Sequence, residues 1–255
     1  MTHPPSSPLP SWVTEVPLAH RGLWDAERPE NSMAAFAAAR DAGCGVELDV
    51  HLTADGVPVV THDVSLRRAT GSNIAVGALP LAALGDHPLA DGSTIPTLAE
   101  VLDELAGAPT MVELKNQRRG AGLLEPPVAE VLDAHAAHGA SRAYVASFHP
   151  GSLRWFRQHR PHVLRAQTAS PRADPRLPAV VGTAMGWLAL HGRSLPHLLS
   201  FDVGHLDHPA VRRWRARGGV VLAWTVRDVA SLTAARADAD NLVFEGLSVR
   251  DVLVS

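Results

Sequence analysis

At 255 residues, 46% of them hydrophobic and 19% charged, the chain can bury a large core and has the length of a single α/β barrel. A formal net charge of −3 lacks the basic excess of a phosphate-backbone binder, and the short pair Arg118-Arg119 does not supply one, so no nucleic-acid partner is expected. The single cysteine, Cys44, rules out an internal disulfide, and nothing suggests a Cys-based metal site.

The opening MTHPPSSPLPSW is rich in Pro and Ser, which predicts a disordered lead-in over 1–14 and a folded domain over 15–255. It has neither the basic n-region nor the sustained apolar run of a secretory signal. No apolar stretch approaches the ~20 residues of a bilayer span. The expectation is a cytoplasmic protein without stable membrane insertion, and the pattern specifies no oligomeric state.

A short apolar run over 16–19 ends at His20-Arg21-Gly22, the tip of a first strand. After LWDAERPE, either Asn31 or Ser32 can cap an Ala-rich helix over 32–42, which Gly43 ends. A second strand follows over 46–52. The turn Thr53-Ala54-Asp55-Gly56 is too short for a parallel crossover, so 57–61 must return antiparallel as a hairpin arm ending at His62-Asp63. Residues 64–95, punctuated by Gly and Pro, read as a long loop or small excursion. Thr97 and Glu100 form a capping box that opens a helix to about 106, and a strand spans 111–115. The alternation continues with helix 127–138, strand 143–147, helix 151–160, strand 163–167, loop 169–178 and helix 179–191. Strand 198–202, helix 208–217, strand 220–226, helix 228–237 and strand 242–244 complete it. With the hairpin arm set aside, eight parallel-type strands interleave with helices, which predicts a TIM (β/α)8 barrel with a small excursion after the second strand.

The chemistry-bearing residues sit at strand tips. Glu47 and Asp49 lie two apart in a strand and share a face, while Val46, Leu48 and Val50 form the face packed against helices. Two like charges held together call for something positive between them, and a solvated edge strand is the competing reading. Glu113 shares its strand face with Lys115. Three acids from two strands make an oxygen-rich site suited to Mg²⁺ or Ca²⁺, unless Glu113 merely pairs with Lys115. Among fourteen histidines, His20 and His62 stand apart because each ends an apolar strand beside a second polar residue, Arg21 and Asp63. They are suited to general base and general acid roles. Arg21 and Lys115 fit an anionic substrate such as a phosphate, or structural salt bridges. Trp224 either lines a pocket or belongs to the core. No Gly-rich nucleotide-binding loop is present.

His20-Arg21-Gly22, Pro29-Glu30-Asn31-Ser32 with Ala35-Phe36, Glu47-Leu48-Asp49-Val50, Asp55-Gly56, and His62-Asp63 with Leu66, Arg68 and Thr70 occur in that order. So do Ile95-Pro96-Thr97-Leu98, Glu113-Leu114-Lys115, Ser147-Phe148, Trp224-Thr225-Val226 and Asp240-Asn241-Leu242-Val243. This series resembles the glycerophosphodiester phosphodiesterase family over residues 17 to about 252. The resemblance implies a TIM barrel, a divalent metal on Glu47, Asp49 and Glu113, His20 and His62 as the acid/base pair, and Arg21 and Lys115 on the phosphate, with Phe148 and Trp224 lining the pocket. It implies a small-molecule glycerophosphodiester substrate whose glycerol hydroxyl attacks phosphorus, leaving a cyclic phosphate that water opens to glycerol 3-phosphate. Two positions depart from the family pattern: Arg227 stands where an Asn is usual, and Glu245 where an Asp is common. Phospholipase D-like cleavage of lysophospholipids, with Leu23 and Trp24 as apolar contacts, and a catalytically silent phosphoester-binding barrel are the alternatives.

Overall fold

The computed structural model describes residues 8–115, 121–139, 141–171 and 194–253. The helix expected over 179–191 lies outside them, as does most of the loop over 169–178. The described chain divides into two compact units, Leu18–Ala143 and a second made of the N-terminal segment to Pro17 with Tyr144–Ser255.

In the first unit, strand β2 (Gly45–Leu52) is central. It pairs in parallel with β1 (Leu18–His20) and β4 (Thr110–Leu114), and antiparallel with the short arm β3 (Pro58–Val60). The register places His20 opposite Glu47 and Asp49 opposite Glu113, so three neighbouring strands deliver polar side chains at one level. Helix α2 (Met33–Asp41) is capped by Ser32, whose hydroxyl accepts from the Ala35 amide. That choice between the two candidate caps frees Asn31 for another task. Helix α4 (Leu98–Leu105) opens with the expected capping box and buries Leu98, Val101, Leu102 and Leu105, the spacing of one helical face. Each such leucine stabilises the fold by roughly 1.5–3 kcal/mol relative to exposure. Helix α5 (Glu125–Ala137) completes the unit.

The excursion after the hairpin has a core of its own. The short helix α3 (Arg67–Thr70) and two 3₁₀ turns, Val76–Ala78 and Leu81–Asp86, gather over buried Val59, Leu66, Val76, Leu84, Leu89 and Ile95. Turns this short leave no periodic signal, so the stretch reads as a loop in sequence although it packs.

The second unit carries five parallel strands: β5 (Ala143–Ser147), β6 (Arg165–Ala169), β7 (Leu198–Asp202), β8 (Val220–Val226) and β9 (Asn241–Phe244). Between or after them come α6 (Pro150–His159), α7 (Pro209–Arg215), α8 (Val229–Asp238) and α9 (Val249–Leu253). Strand β6 begins two residues later than the expected 163, because the Arg165 guanidinium donates to the carbonyls of Pro161 and Val163 and holds that segment as a turn. Of the lead-in expected over 1–14, residues 8–14 are described, and their end is ordered. Helix α1 (Trp12–Glu15) buries Val13, and the Asn241 side-chain amide donates to the carbonyls of Val13 and Val16, each at 2.8 Å. A Pro-rich composition conceals this anchoring because its partner lies more than two hundred residues away. With β3 set aside, the described strands run parallel and, except between β6 and β7, where most of the intervening residues lie outside the described ones, alternate with helices, the TIM (β/α)8 barrel fold with a small excursion.

Candidate active site

The site is built where the ends of β1, β2 and β4 bring their tips together. The chain turns sharply after His20: Arg21 has φ of 62° and Gly22 of 83°. A Cβ on Gly22 would lie 2.7 Å from the Ala35 carbonyl carbon, so only glycine lets this turn approach α2 so closely. The Arg21 amide donates to the Glu47 carbonyl at 2.7 Å and the Asn31 amide to the Arg21 carbonyl at 3.0 Å. These bonds fold residues 21–31 back over the strand ends. Asn31, itself at φ 57°, is thereby buried, and its side-chain amide donates to Asp49 Oδ2 at 3.1 Å.

Glu47, Asp49 and Glu113 are all buried, and each offers an oxygen within 4.8 Å of the others'. Lys115 Nζ lies 2.7 Å from Glu113 Oε1 and 2.8 Å from Asp49 Oδ1, and Arg21 Nε lies 3.1 Å from Asp49 Oδ2. The two cations therefore attend to Asp49 and Glu113 and leave Glu47 poorly compensated. Its Oε2 accepts no hydrogen bond among the described residues, with His20 Nε2 standing off at 3.8 Å. Burial, followed by the charges of Asp49 and Glu113, pushes the Glu47 carboxyl well above its ordinary range. Asp49 goes the other way: burial raises it, but Lys115 and Arg21 more than offset that and hold it ionised. Burial also works against charge on Lys115, and the facing acids Asp49, Glu113 and Glu47 overcome it, so the ammonium persists.

His62 arrives on the returning arm. The Thr61 amide donates to the Asp49 carbonyl at 2.9 Å, which fixes the arm to β2, and His51 Nε2 lies 3.1 Å from the His62 carbonyl. The His62 ring places Nδ1 2.8 Å from Asp63 Oδ1. Its pKa is lowered, mainly by burial, with Lys115 and Arg21 adding to the effect against the pull of Asp49 and Asp63. A second buried histidine, His51, is lowered for the same first reason.

Three buried carboxylates, one with an orphaned oxygen, form a hard-oxygen donor set that fits a divalent cation. The buried Asn31 Oδ1, also without a hydrogen-bond donor among the described residues, adds to that character. Of the expected residues, His20, Arg21, Glu47, Asp49, Glu113 and Lys115 meet directly, and His62 lies close enough for its charge to act on Asp49. Phe148 and Trp224, in the second unit, form an edge-to-face pair with centroids 5.5 Å apart. The two departures from the family pattern also find each other, since Arg227 Nε donates to Glu245. Sequence reasoning left Glu30, Asn31, His51, Asp63 and Arg68 without roles at the site. The available signal was polar residues in the segments that follow β1 and β3, where loops of a barrel carry function; His51, inside β2, gave none.

Buried acids on neighbouring barrel strands, with His20 and two cations around them, form a site suited to a divalent cation and an anionic substrate. The sequence pattern of the Glycerophosphoryl diester phosphodiesterase family matches residues 20–245, and the chain belongs to that family. It is 29% identical over 258 residues to a Mycobacterium tuberculosis protein named probable glycerophosphodiester phosphodiesterase 2, covering 94% of this chain and 91% of that one. A shorter match, 35% identical over 112 residues, covers 38% of this chain and 35% of a lysophospholipase D of Rattus norvegicus. Among solved structures, an Oleispira antarctica phosphodiesterase in complex with the product sn-glycerol-3-phosphate is similar with a TM-score of 0.78 at 26% identity, covering 96% of this chain and 99% of that one.

Proposed function

We propose that the chain hydrolyses glycerophosphodiesters to glycerol 3-phosphate and an alcohol, with His20 and His62 exchanging the protons at a site that holds Mg²⁺ or Ca²⁺. The observation that carries this reading is the orphaned, buried Glu47 oxygen among three converging acids, with His20 of β1 beside it and His62 of the hairpin arm close enough to act on Asp49. Glu47, Asp49 and Glu113 would hold the ion, which when bound neutralises phosphate charge and lowers the pKa of a neighbouring hydroxyl. Arg21 and Lys115 orient the phosphodiester. Lys115 has three N–H donors and two carboxylate partners, so one remains for a phosphate oxygen, and the Arg21 fork has Nη2 to spare beyond its contacts with Glu30 and Asp49.

One histidine takes the proton of the substrate's glycerol hydroxyl as its oxygen bonds to phosphorus. The other gives a proton to the departing alcohol oxygen as the P–O bond breaks. Water then opens the cyclic phosphate with the two roles exchanged, which restores both rings. A lowered His62 pKa keeps that ring neutral near pH 7, the form a base needs.

The test is release of glycerol 3-phosphate from glycerophosphocholine by the purified protein in Mg²⁺ or Ca²⁺ and in EDTA. Equal turnover in EDTA would refute the role given to the acids. Cleavage of lysophospholipids is the second reading, favoured by the match to a lysophospholipase D and by Trp24, 40% exposed on the loop beside the site. A substrate panel that ranks lysophospholipids first would replace the first reading with it. Among the described residues no helix is long and apolar enough to cross a membrane.

A further inference from the structure

An unbroken chain of charge contacts runs from His62 to the acid cluster. Asp63 receives the His62 ring through Oδ1 at 2.8 Å, and its other oxygen, Oδ2, receives Arg68 Nε at 2.6 Å. Arg68 Nη1 reaches on to Glu30 Oε1 at 2.8 Å. Glu30 holds Arg21 Nη1 with both oxygens, at 3.0 and 2.9 Å, and Arg21 Nε faces Asp49 Oδ2 at 3.1 Å. From Asp63 onward the signs alternate at every step. Three separate pieces of chain are joined this way: the loop after β1, the end of the hairpin arm, and helix α3 of the excursion.

We infer that Asp63, Arg68 and Glu30 are positioning residues that fix the tautomer and orientation of His62 and tie it to Arg21. An ionised carboxylate has no proton to give, so the bond from His62 to Asp63 requires the hydrogen on Nδ1 and leaves Nε2 with a bare lone pair. That lone pair is the acting atom of the general base. A carboxylate with a single partner would swing. Arg68 prevents this by taking the second oxygen of Asp63, and Glu30 fixes Arg68 in turn while presenting Arg21 to the site. The excursion therefore supplies an orienting group to the chemistry through α3, besides lying over the hairpin arm. Most surface ion pairs contribute little to stability, and Asp63 and Arg68 have side chains 38% and 48% exposed. Their contribution is expected in geometry, so their removal should leave the fold intact.

The inference rests on the acid–base reading of His62, and the measurements separate the two. In protein labelled with ¹⁵N-histidine, with the His62 resonances assigned by their loss in His62→Ala, the wild type should show a protonated Nδ1 and an unprotonated Nε2 above the ring's titration. Asp63→Ala should shift His62 toward the opposite tautomer. With glycerophosphocholine and Mg²⁺, Asp63→Ala should lower kcat roughly 10- to 100-fold, the range for losing a group that orients an active-site imidazole, with KM within about twofold. Arg68→Ala should lower kcat less, by roughly threefold to tenfold on the same basis, again with little change in KM. Thermal melts of both variants should match the wild type. An unmoved tautomer in Asp63→Ala overturns this inference alone. A raised KM with unchanged kcat in Arg68→Ala makes Arg68 a substrate contact and overturns it as well. A wild-type rate in His62→Ala removes the acid–base reading, and the catalytic consequence of Asp63 with it.

Discussion

The two units treat charge in opposite ways. In the second, several charges are closed off locally. Asp202, at the tip of β7, receives the Gly204 amide on one oxygen at 2.9 Å and the Ser170 hydroxyl on the other at 2.8 Å. Arg227 and Glu245 pair with each other, and Arg165 gives its guanidinium to main-chain carbonyls. Among the described residues, the buried side-chain atoms left without a hydrogen bond there include the hydroxyls of Thr168 and Ser200, the Trp224 indole, Arg165 Nε and Arg215 Nη1, and no carboxylate oxygen. In the first unit three carboxylates share one buried place, and Glu47 keeps an oxygen without a donor among the described residues. A buried polar group with all its partners is structural. A buried cluster of like charge that its neighbours do not compensate costs stability and persists where something else is to be bound.

The contrast can be broken by substitution. The largest effect is expected from His62→Ala, a loss of roughly 10²- to 10⁴-fold in turnover with little change in unfolding free energy, measured by steady-state kinetics beside urea titration. A similar rate in variant and wild type would strike His62 from the chemistry. In the second unit the effect should invert. Phe201, fully buried in β7, should on replacement by Ala cost about 3–5 kcal/mol of stability, while the protein that remains folded keeps its KM.

Glu47→Gln sharpens the comparison further: Mg²⁺ or Ca²⁺ should raise the melting temperature of the wild type and not of the variant, and the metal-free variant should be as stable as the wild type or more so. The sign follows from the carboxyl being pushed above its ordinary 4.5 in the fold. The folded state then holds that proton more tightly than the unfolded chain, so metal-free wild type loses stability as pH rises from about 4.5, and the variant escapes that part of the loss. If both lose stability in parallel, the strain assigned to Glu47 is absent.

The smallest effect concerns His197 in the second unit, whose pKa burial and the Arg165 charge lower to about 4 from 6.5. Here the unfolded chain takes the proton first, so stability present above pH 6.5 is lost as pH falls toward 4. His197→Gln should flatten that part of the urea midpoint against pH, and an unchanged slope would count against the burial of a neutral ring.

Much of this was legible in the chain. The two-residue spacing of Glu47 and Asp49, the four-residue turn that forces the hairpin, and the capping box at Thr97 are local signals, and each appears where it points. Asn31 was missed as a site residue because a helix cap accounts for it equally well until Ser32 is seen to do the capping. Arg68 and Glu30 lie 38 positions apart in the chain, and no periodicity reports such a contact. The same holds for α1, whose buried Val13 is tied down by the amide of Asn241.

The small core beneath the excursion has a consequence for how such a barrel diversifies. Val59 belongs at once to the arm that carries His62 and to that core, with Leu66 and Leu84 as its neighbours, and Asp55 in the hairpin turn accepts the Leu81 amide at 3.0 Å. The insert is thus mounted on the reaction centre by a few inner residues, while its outer surface, Arg67 and Asn73 included, is exposed. An engineer could exchange that outer skin, Arg68 excepted, and leave the mounting undisturbed.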